Sequence, residues 1–276
     1  MRLILSILLF LNILAWATVY DLSGSDLEVV FLDVGQGDAI FIETPQNHQI
    51  LIDGGPGSAV LRELGEEMPF WDRTIDLVIL THPEHDHMSG LIEVMKRYKV
   101  KNILWTGVLL DTAEYKEWQK LIQEEKANIY IARAGQRIEG GSTSINILHP
   151  LENIAGKETG NTNNTSVITR LVFRENSFLF MGDAYQSVER DLLGNGAEVD
   201  SDVLKVGHHG SKTSSAPEFI EAVSPSVAVI QCGEDNPYGH PHSVTLENLA
   251  GIEILRTDLQ GSAKIISDGV DYVVKN

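Results

Sequence analysis

The chain has 276 residues, 43% of them hydrophobic and 22% charged, which suffices for one sizeable globular domain or two small ones and argues against general disorder. Lysine and arginine total 21 against 39 aspartates and glutamates, a formal charge of −18, and so acidic a surface argues against a tight, non-specific grip on a phosphate backbone. It leaves room for a local cationic cleft, above all one holding divalent metal. The single cysteine, Cys232, excludes an intramolecular disulfide and a lipid-modified cysteine near the N-terminus, and in VAVIQCG it reads as a buried strand residue.

In chain order, the N-terminus MRLILSILLFLNILAWATVYD sets one basic residue, Arg2, before an apolar run from Leu3 to Leu14 and then Ala15-Trp16-Ala17. That is the layout of a signal peptide over residues 1–17, cleaved after Ala17. About 17 apolar residues can also just span a bilayer as an uncleaved signal anchor. The chain is therefore expected to be exported, extracellular or periplasmic, or to associate with a membrane through residues 3–17. No second apolar span, coiled-coil heptad or low-complexity tract follows residue 20, and one domain is expected over residues 23–276.

Short β-branched and aromatic runs bounded by Gly, Pro and Asn predict strands at LEVVFLDVG (27–35), AIFIET (39–44) and HQILIDGG (48–55). IDLVILTH (75–82) is a further strand, apolar enough to be covered on both faces. In SGLIEVMKRYKV, Leu91, Val94, Met95 and Tyr98 fall at i, i+3, i+4 and i+7, one face of a helix. A helix around Thr112–Lys126 precedes STSINILHP (142–150) and the strand pair SVITRLVF (166–173) and SFLFMGDA (177–184). That pair repeats the layout of the first half, a strand, a polar turn and an apolar strand ending in acid plus glycine, and so suggests two related halves packed face to face. Residues 202–223, 226–233, 236–249 and 254–269 complete the αβ alternation.

Between the strand at 75–82 and its helix stands LTHPEHDHMSG, with three histidines, a glutamate and an aspartate within six positions, His82 to His87. Turns at the carboxyl ends of strands are where rigid α/β scaffolds hold their chemistry. A lone histidine is more often structural, but five such groups in one turn are a ligand loop for borderline divalent ions. The spacing lets His82 and Glu84 serve one ion and Asp86 and His87 a second. Asp183 in FLFMGDA is the natural bridging carboxylate, with His149 in NILHP completing the first ion and His240 in NPYGHPH the second. His208 and His209, in LKVGHHGSKTSS, sit at another strand end, where one can bind metal and one contact the scissile group or shuttle protons.

FLDVGQGDAIFI, ILIDGG, LTHPEHDHMSGL, NNTSVITRL, FLFMGDA, LKVGHHGSKTSS, NPYGHPH and LRTDLQGSAKIISDG occur in that order. The set resembles the metallo-β-lactamase-fold hydrolases, and within them the branch of the competence protein ComEC. The resemblance implies a four-layer αββα sandwich, an α/β fold, with two divalent ions, Zn or Mn, at one edge of the paired sheets. Glu84 stands where the wider superfamily has a second histidine; it is a harder ligand that favours manganese, and ComEC-like sequences also tend to carry an acid there. Full-length members of the branch embed such a domain in a multi-span membrane channel, whereas the 276 residues here supply the domain and its N-terminal segment.

The chemistry expected of such a site is attack by metal-activated water, with Asp86, His208 and His209 in catalytic positions and Asp53 orienting ligands from behind. Lys205, Ser211, Lys212 and Asn164 are expected at the substrate, where they would supply the positive patch that the composition lacks. The expected activity is that of an exported phosphodiesterase or nuclease, with single-stranded DNA among its substrates and no nucleotide cofactor. The alternatives are a hydrolase of another ester, such as phosphorylcholine or a lactone, or a non-catalytic DNA-uptake subunit.

Overall fold

The computed structural model describes residues 2–22 and 26–275, and leaves the side chains of residues 2, 3 and 15–22 undescribed. The N-terminal run forms helix α1 (Arg2–Leu22). Among the described residues no helix is long and apolar enough to cross a membrane. The side chain at the expected cleavage position, Ala17, and the expected start of the domain, Ser23, lie outside the described residues.

Among the described residues, fifteen strands form two sheets. The first half of the chain supplies β1 (Leu27–Phe31), β2 (Ile40–Glu43), β3 (Gln49–Ile52), β4 (Thr74–Ile79), β5 (Lys99–Trp105) and β6 (Asn128–Ile131). The second supplies β7 (Arg137–Gly140), β8 (Thr143–His149), β9 (Ile168–Phe173), β10 (Asn176–Phe180), β11 (Val203–Lys205), β12 (Val227–Ile230) and β13 (Glu253–Arg256). The last two strands, β14 (Ala263–Ser267) and β15 (Tyr272–Lys275), return to the first sheet, so the halves are tied by β14 pairing antiparallel to β1. The repeated layout has a structural counterpart. Each sheet holds an antiparallel hairpin, β2–β3 or β9–β10, whose second strand is followed by parallel neighbours, β4 and β5 or β11 and β12.

The strands read as continuous apolar runs because both faces of each sheet are covered. In β2, Ile40 and Ile42 point into the layer between the sheets, which includes Phe31, Ile79, Phe178 and Phe180. Phe41 points the other way, onto α2 (Ala59–Glu67), α3 (His85–Met95) and α4 (Ala113–Glu125), through Leu64, Leu91, Val94 and Trp118. On the far side, Leu179, Leu204 and Ala228 meet α5 (Gln186–Gly194) and α6 (Pro217–Val223) through Leu192, Phe219 and Val223. Two outer helical layers over two sheets give the αββα sandwich. Cys232 is buried, two residues beyond the end of β12 rather than within it.

One contact aims the ligand loop. The first turns of α3 dock backbone to backbone on the exit of β3, with Gly54 N donating to His87 O and Gly90 N to Gly55 O. A Cβ on Gly90 would lie 1.7 Å from Gly54 O, and nothing on that backbone can yield. Gly90→Ala is therefore expected to lower the urea unfolding free energy by at least about 2 kcal/mol. Gly57→Ala, with nothing within 4 Å of its added Cβ, should stay within about 0.5 kcal/mol of wild type.

Glu189 on α5 is buried and accepts the backbone N–H groups of Ser215 and Ala216 at the start of α6. Burial pushes its carboxyl up to about 7 despite those two donors. The folded chain then binds more protons than the unfolded one between about pH 4.5 and 7, so stability contributed by the protonated form is lost as pH rises through that window. Glu189→Gln should gain stability relative to wild type by up to roughly 3 kcal/mol between pH 4.5 and 7.5, read from urea midpoints. A pH-independent difference would contradict this.

Candidate metal centre

β4 ends at Ile79, and the chain turns through Thr81, His82 and Pro83 into α3. Asp53, just past β3, holds this turn. It accepts Thr81 N at 2.8 Å and Thr81 Oγ1 at 2.6 Å, and lies 2.8 Å from His87 Nδ1. With Nδ1–H directed at a buried carboxylate, the lone pair of His87 Nε2 faces away from Asp53. It faces Asp183 Oδ1, at 3.3 Å. His209 is oriented the same way from the other sheet, its Nδ1 donating to Gln231 O at 2.9 Å and its Nε2 lying 3.4 Å from Asp183 Oδ2 and 3.3 Å from Asp86 Oδ2. His82 contacts Thr81 Oγ1 through Nδ1, and its Nε2 lies 4.0 Å from Asp183 Oδ2. His208 and His209 both hold left-handed backbone, φ 48° and 54°, strain of about 1–3 kcal/mol each that places two imidazoles side by side.

Asp86, His87, Asp183 and His209 thus present ligand atoms all within 4.8 Å of one another. His82 Nε2, His87 Nε2, His209 Nε2 and Asp183 Oδ1 are buried and have no hydrogen-bond partner. Buried polar atoms are rarely left so, and atoms with lone pairs converging on one point suit a divalent cation. The electrostatics agree. Burial works against charge on Asp183, but His209 and His87 hold its carboxyl well below the usual range. Burial likewise opposes charge on His87 and His209, yet Asp183, helped by Asp53 and Asp38 respectively, holds both imidazoles well above their ordinary value. His82, buried beside His87, is pushed down to about 3. A cation on Nε2 of His87 and His209 would take the place of their protons against the same carboxylates.

The other expected site residues divide. His208 Nε2 lies 3.7 Å from Asp183 Oδ2 on the open side, with Nδ1 2.9 Å from Thr213 Oγ1. Glu84 is taken up by a hydrogen bond from Thr162 Oγ1 and does not join the four converging residues. His149 donates Nδ1 to Ser166 O at 2.8 Å and is also outside that group. His240 stands one ring further out, 6.1 Å from His209 and 5.6 Å from His208 between ring centroids. His209, one of the pair of which one was expected to bind metal and one to act on the scissile group, joins the converging residues, and His240 does not. His85, left out of the expected ligand set, is exposed and bonded to Glu114.

The substrate loop needs correction. Lys205 is fully buried and ion-paired with Asp38, so it presents no charge to a substrate. Ser211 is buried too, its Oγ accepting from Thr213. Asn164 is used by Ser187 Oγ and Tyr185 N, while its neighbour Asn163 faces the site, 3.3 Å from His208 Nε2. Lys212 is exposed on the rim. Asp38, Gln231 and Asn163 escaped the sequence reading. Asp38 alone left a trace there, an acid at the mouth of an apolar strand in GQGDAIFI, which needs a buried partner.

A family model described as Metallo-beta-lactamase superfamily matches residues 32–234, and the chain belongs to that family. Its relatives are ComEC-like competence proteins, as the motifs implied. It is 30% identical over 263 residues to ComE operon protein 3 of Bacillus subtilis, covering 88% of this chain and 33% of that protein. To competence protein ComA of Neisseria gonorrhoeae it is 29% identical over 241 residues, covering 86% and 32%. The chain spans about a third of the length of these relatives. Among solved structures, the metallo-beta-lactamase fold protein YhfI of Bacillus subtilis matches with a TM-score of 0.59 at 15% identity, covering 88% of this chain and 100% of that one. That likeness shows the fold alone.

The family implies divalent metal, and the orphaned imidazole and carboxylate atoms fit it. Metal analysis of the purified full chain should find bound divalent ion, depleted in Asp183→Ala and His87→Ala and retained in His85→Ala. Asp53→Asn removes no atom of the converging group and should still weaken metal binding about 10–100-fold.

Proposed function

We propose that the chain is an exported metal-dependent phosphodiesterase, most plainly a nuclease acting on single-stranded DNA. The observation that carries this reading is the convergence of unpartnered buried imidazoles on Asp183 at the open end of the sandwich. The competence proteins to which the chain is similar support DNA as the substrate class, and the apolar run Leu3–Leu14 supports export or a membrane anchor. The fold on its own would serve other esters equally well.

In this reading His82, Asp86, His87, Asp183 and His209 would hold the metal, two ions of Zn or Mn. Ions so held supply a water of lowered pKa and offset the charge that builds up in an in-line displacement at phosphorus. The rest falls to side chains on the rim. Asn163 Nδ2 lies 3.3 Å from His208 Nε2, and Nδ1 of the same ring lies beside Thr213 Oγ1. With Nδ1–H directed at Thr213, Nε2 carries the ring's one lone pair, which Asn163 Nδ2 occupies in this structure; an attacking water that displaces Asn163 from Nε2 could give its proton there, for return to a leaving oxygen. Asn163 also contacts Tyr185 OH, and the Tyr185 ring stacks on His208 at 5.2 Å, so the imidazole is held from two sides. Lys212 is the exposed cation of the GSKTSS loop and serves to contact a phosphate oxygen.

A retained donor set argues against a purely binding subunit, which has no use for unpartnered buried imidazoles. The test is hydrolysis of single-stranded DNA and of bis-(p-nitrophenyl) phosphate with manganese or zinc. Wild type should cleave both, and Asp183→Ala and His87→Ala should lose more than about 100-fold, beyond the cost of losing an outer partner. His208→Ala should keep its metal and lose roughly 10²–10⁴-fold in turnover. Bound metal with neither substrate cleaved would sink the phosphodiesterase reading and favour a carboxylic ester, a lactone or a binding role.

A further inference from the structure

We propose that the buried ion pair Lys205–Asp38 is a positioning device for the metal centre: Lys205 cancels the charge of Asp38 beside His87 and His209 and thereby sets how tightly the centre holds divalent cations. The inference rests on the metal-centre reading above. Lys205 closes β11 and is fully buried, and Asp38, 2% exposed, comes from the loop between β1 and β2 of the opposite sheet. Lys205 Nζ donates to Asp38 Oδ2 and also to Gly182 O at 3.3 Å, next to Asp183. The second oxygen, Asp38 Oδ1, lies 3.2 Å from His209 Nδ1, and Oδ2 lies 3.9 Å from His87 Nδ1. Because His209 Nδ1–H is directed at Gln231 O, Asp38 Oδ1 acts on this ring as a neighbouring charge rather than as its hydrogen-bond acceptor.

The backbone fixes Asp38 against the ligand loop. Asp38 N donates to Asp86 O at 3.2 Å, and a Cβ on the preceding Gly37 would lie 2.3 Å from that same oxygen. Burying a lysine and an aspartate is a poor way to stabilise a core, since apolar side chains of similar volume do as well or better. Packing therefore does not explain the pair. Its contacts do: Asp38, Asp53 and His87 form a second cluster close enough to hold a cation, and the ammonium of Lys205 is already the cation on Asp38. That reserves the metal for the Asp183 side of the two imidazoles. It also keeps Asp38 from adding a full negative charge there.

Charge and packing roles predict opposite signs. The full chain and its Lys205→Met, Asp38→Asn and Asp38→Asn/Lys205→Met variants would be titrated with Mn²⁺, and with Zn²⁺ against a chromophoric chelator. Lys205→Met leaves an uncompensated carboxylate and should tighten metal about tenfold or more, whereas Asp38→Asn leaves an uncompensated ammonium and should weaken it by a similar factor. The double variant should return to within about threefold of wild type. If both single variants weaken metal, the pair only holds the fold and the proposal is overturned. Should Lys205→Met be insoluble, the double variant decides against Asp38→Asn: tighter binding by the double supports the proposal, equal or weaker binding overturns it. Failure of the metal-centre reading would look different, as a wild type that binds no more Mn²⁺ than Asp183→Ala.

Discussion

A carboxylate buried at the meeting of two sheets has to be balanced, and the open end of this molecule is organised around balancing Asp183. Desolvation of an isolated carboxylate costs several kcal/mol even after relaxation. His87 and His209 supply the compensation, one from each sheet, with His82 and His208 in reach of the same oxygens. Each balancing imidazole is in turn held from behind, His87 by Asp53 and His209 by Gln231 O. The result is a set of ring nitrogens that the fold orients but does not satisfy. Such an arrangement is stable only with charge at its centre, carried by protons or by a metal.

The sandwich exists to bring those groups to one edge. Hairpin-then-parallel topology in each half ends β3 and β10 at the same rim, which places Asp53 and Asp183 just past their strands. Parallel β4 and β11 then deliver the two histidine turns, 82–87 and 208–209, from opposite sheets. The close approach of Gly54 and Gly90 fixes the pitch of α3, and with it the direction of His87. Apolar layers on both faces of each sheet supply the rigidity that lets backbone strain at His208 and His209 persist.

Much of this was legible in the sequence because it is local. The crowding of His82, Asp86 and His87 in one turn, the acid at the end of FLFMGDA and the unbroken apolar strands each declare themselves within ten residues. What depended on contacts between the halves was not. Lys205 reads as a substrate cation until Asp38, 167 positions away in sequence, is seen to neutralise it. In NNTS either asparagine fits a cleft, and only the turn at Asn163–Thr165 decides that Asn163 looks inward. His209 and His240 have equal claims as imidazoles. The left-handed backbone at His209, which no local rule announces for a histidine, carries it inward to Asp183. Glu84 reads as a ligand by its spacing, while the geometry hands its carboxylate to Thr162.

The most direct measurement of the central claim is anomalous diffraction from crystals of the full chain grown with manganese or zinc. Strong anomalous density should lie at bonding distance, about 2.0–2.2 Å, from His87 Nε2, His209 Nε2 and a carboxylate oxygen of Asp183. Crystals that bind the ion elsewhere, or that leave those three side chains without anomalous density at saturating metal, would contradict the assignment of this cluster as a metal centre.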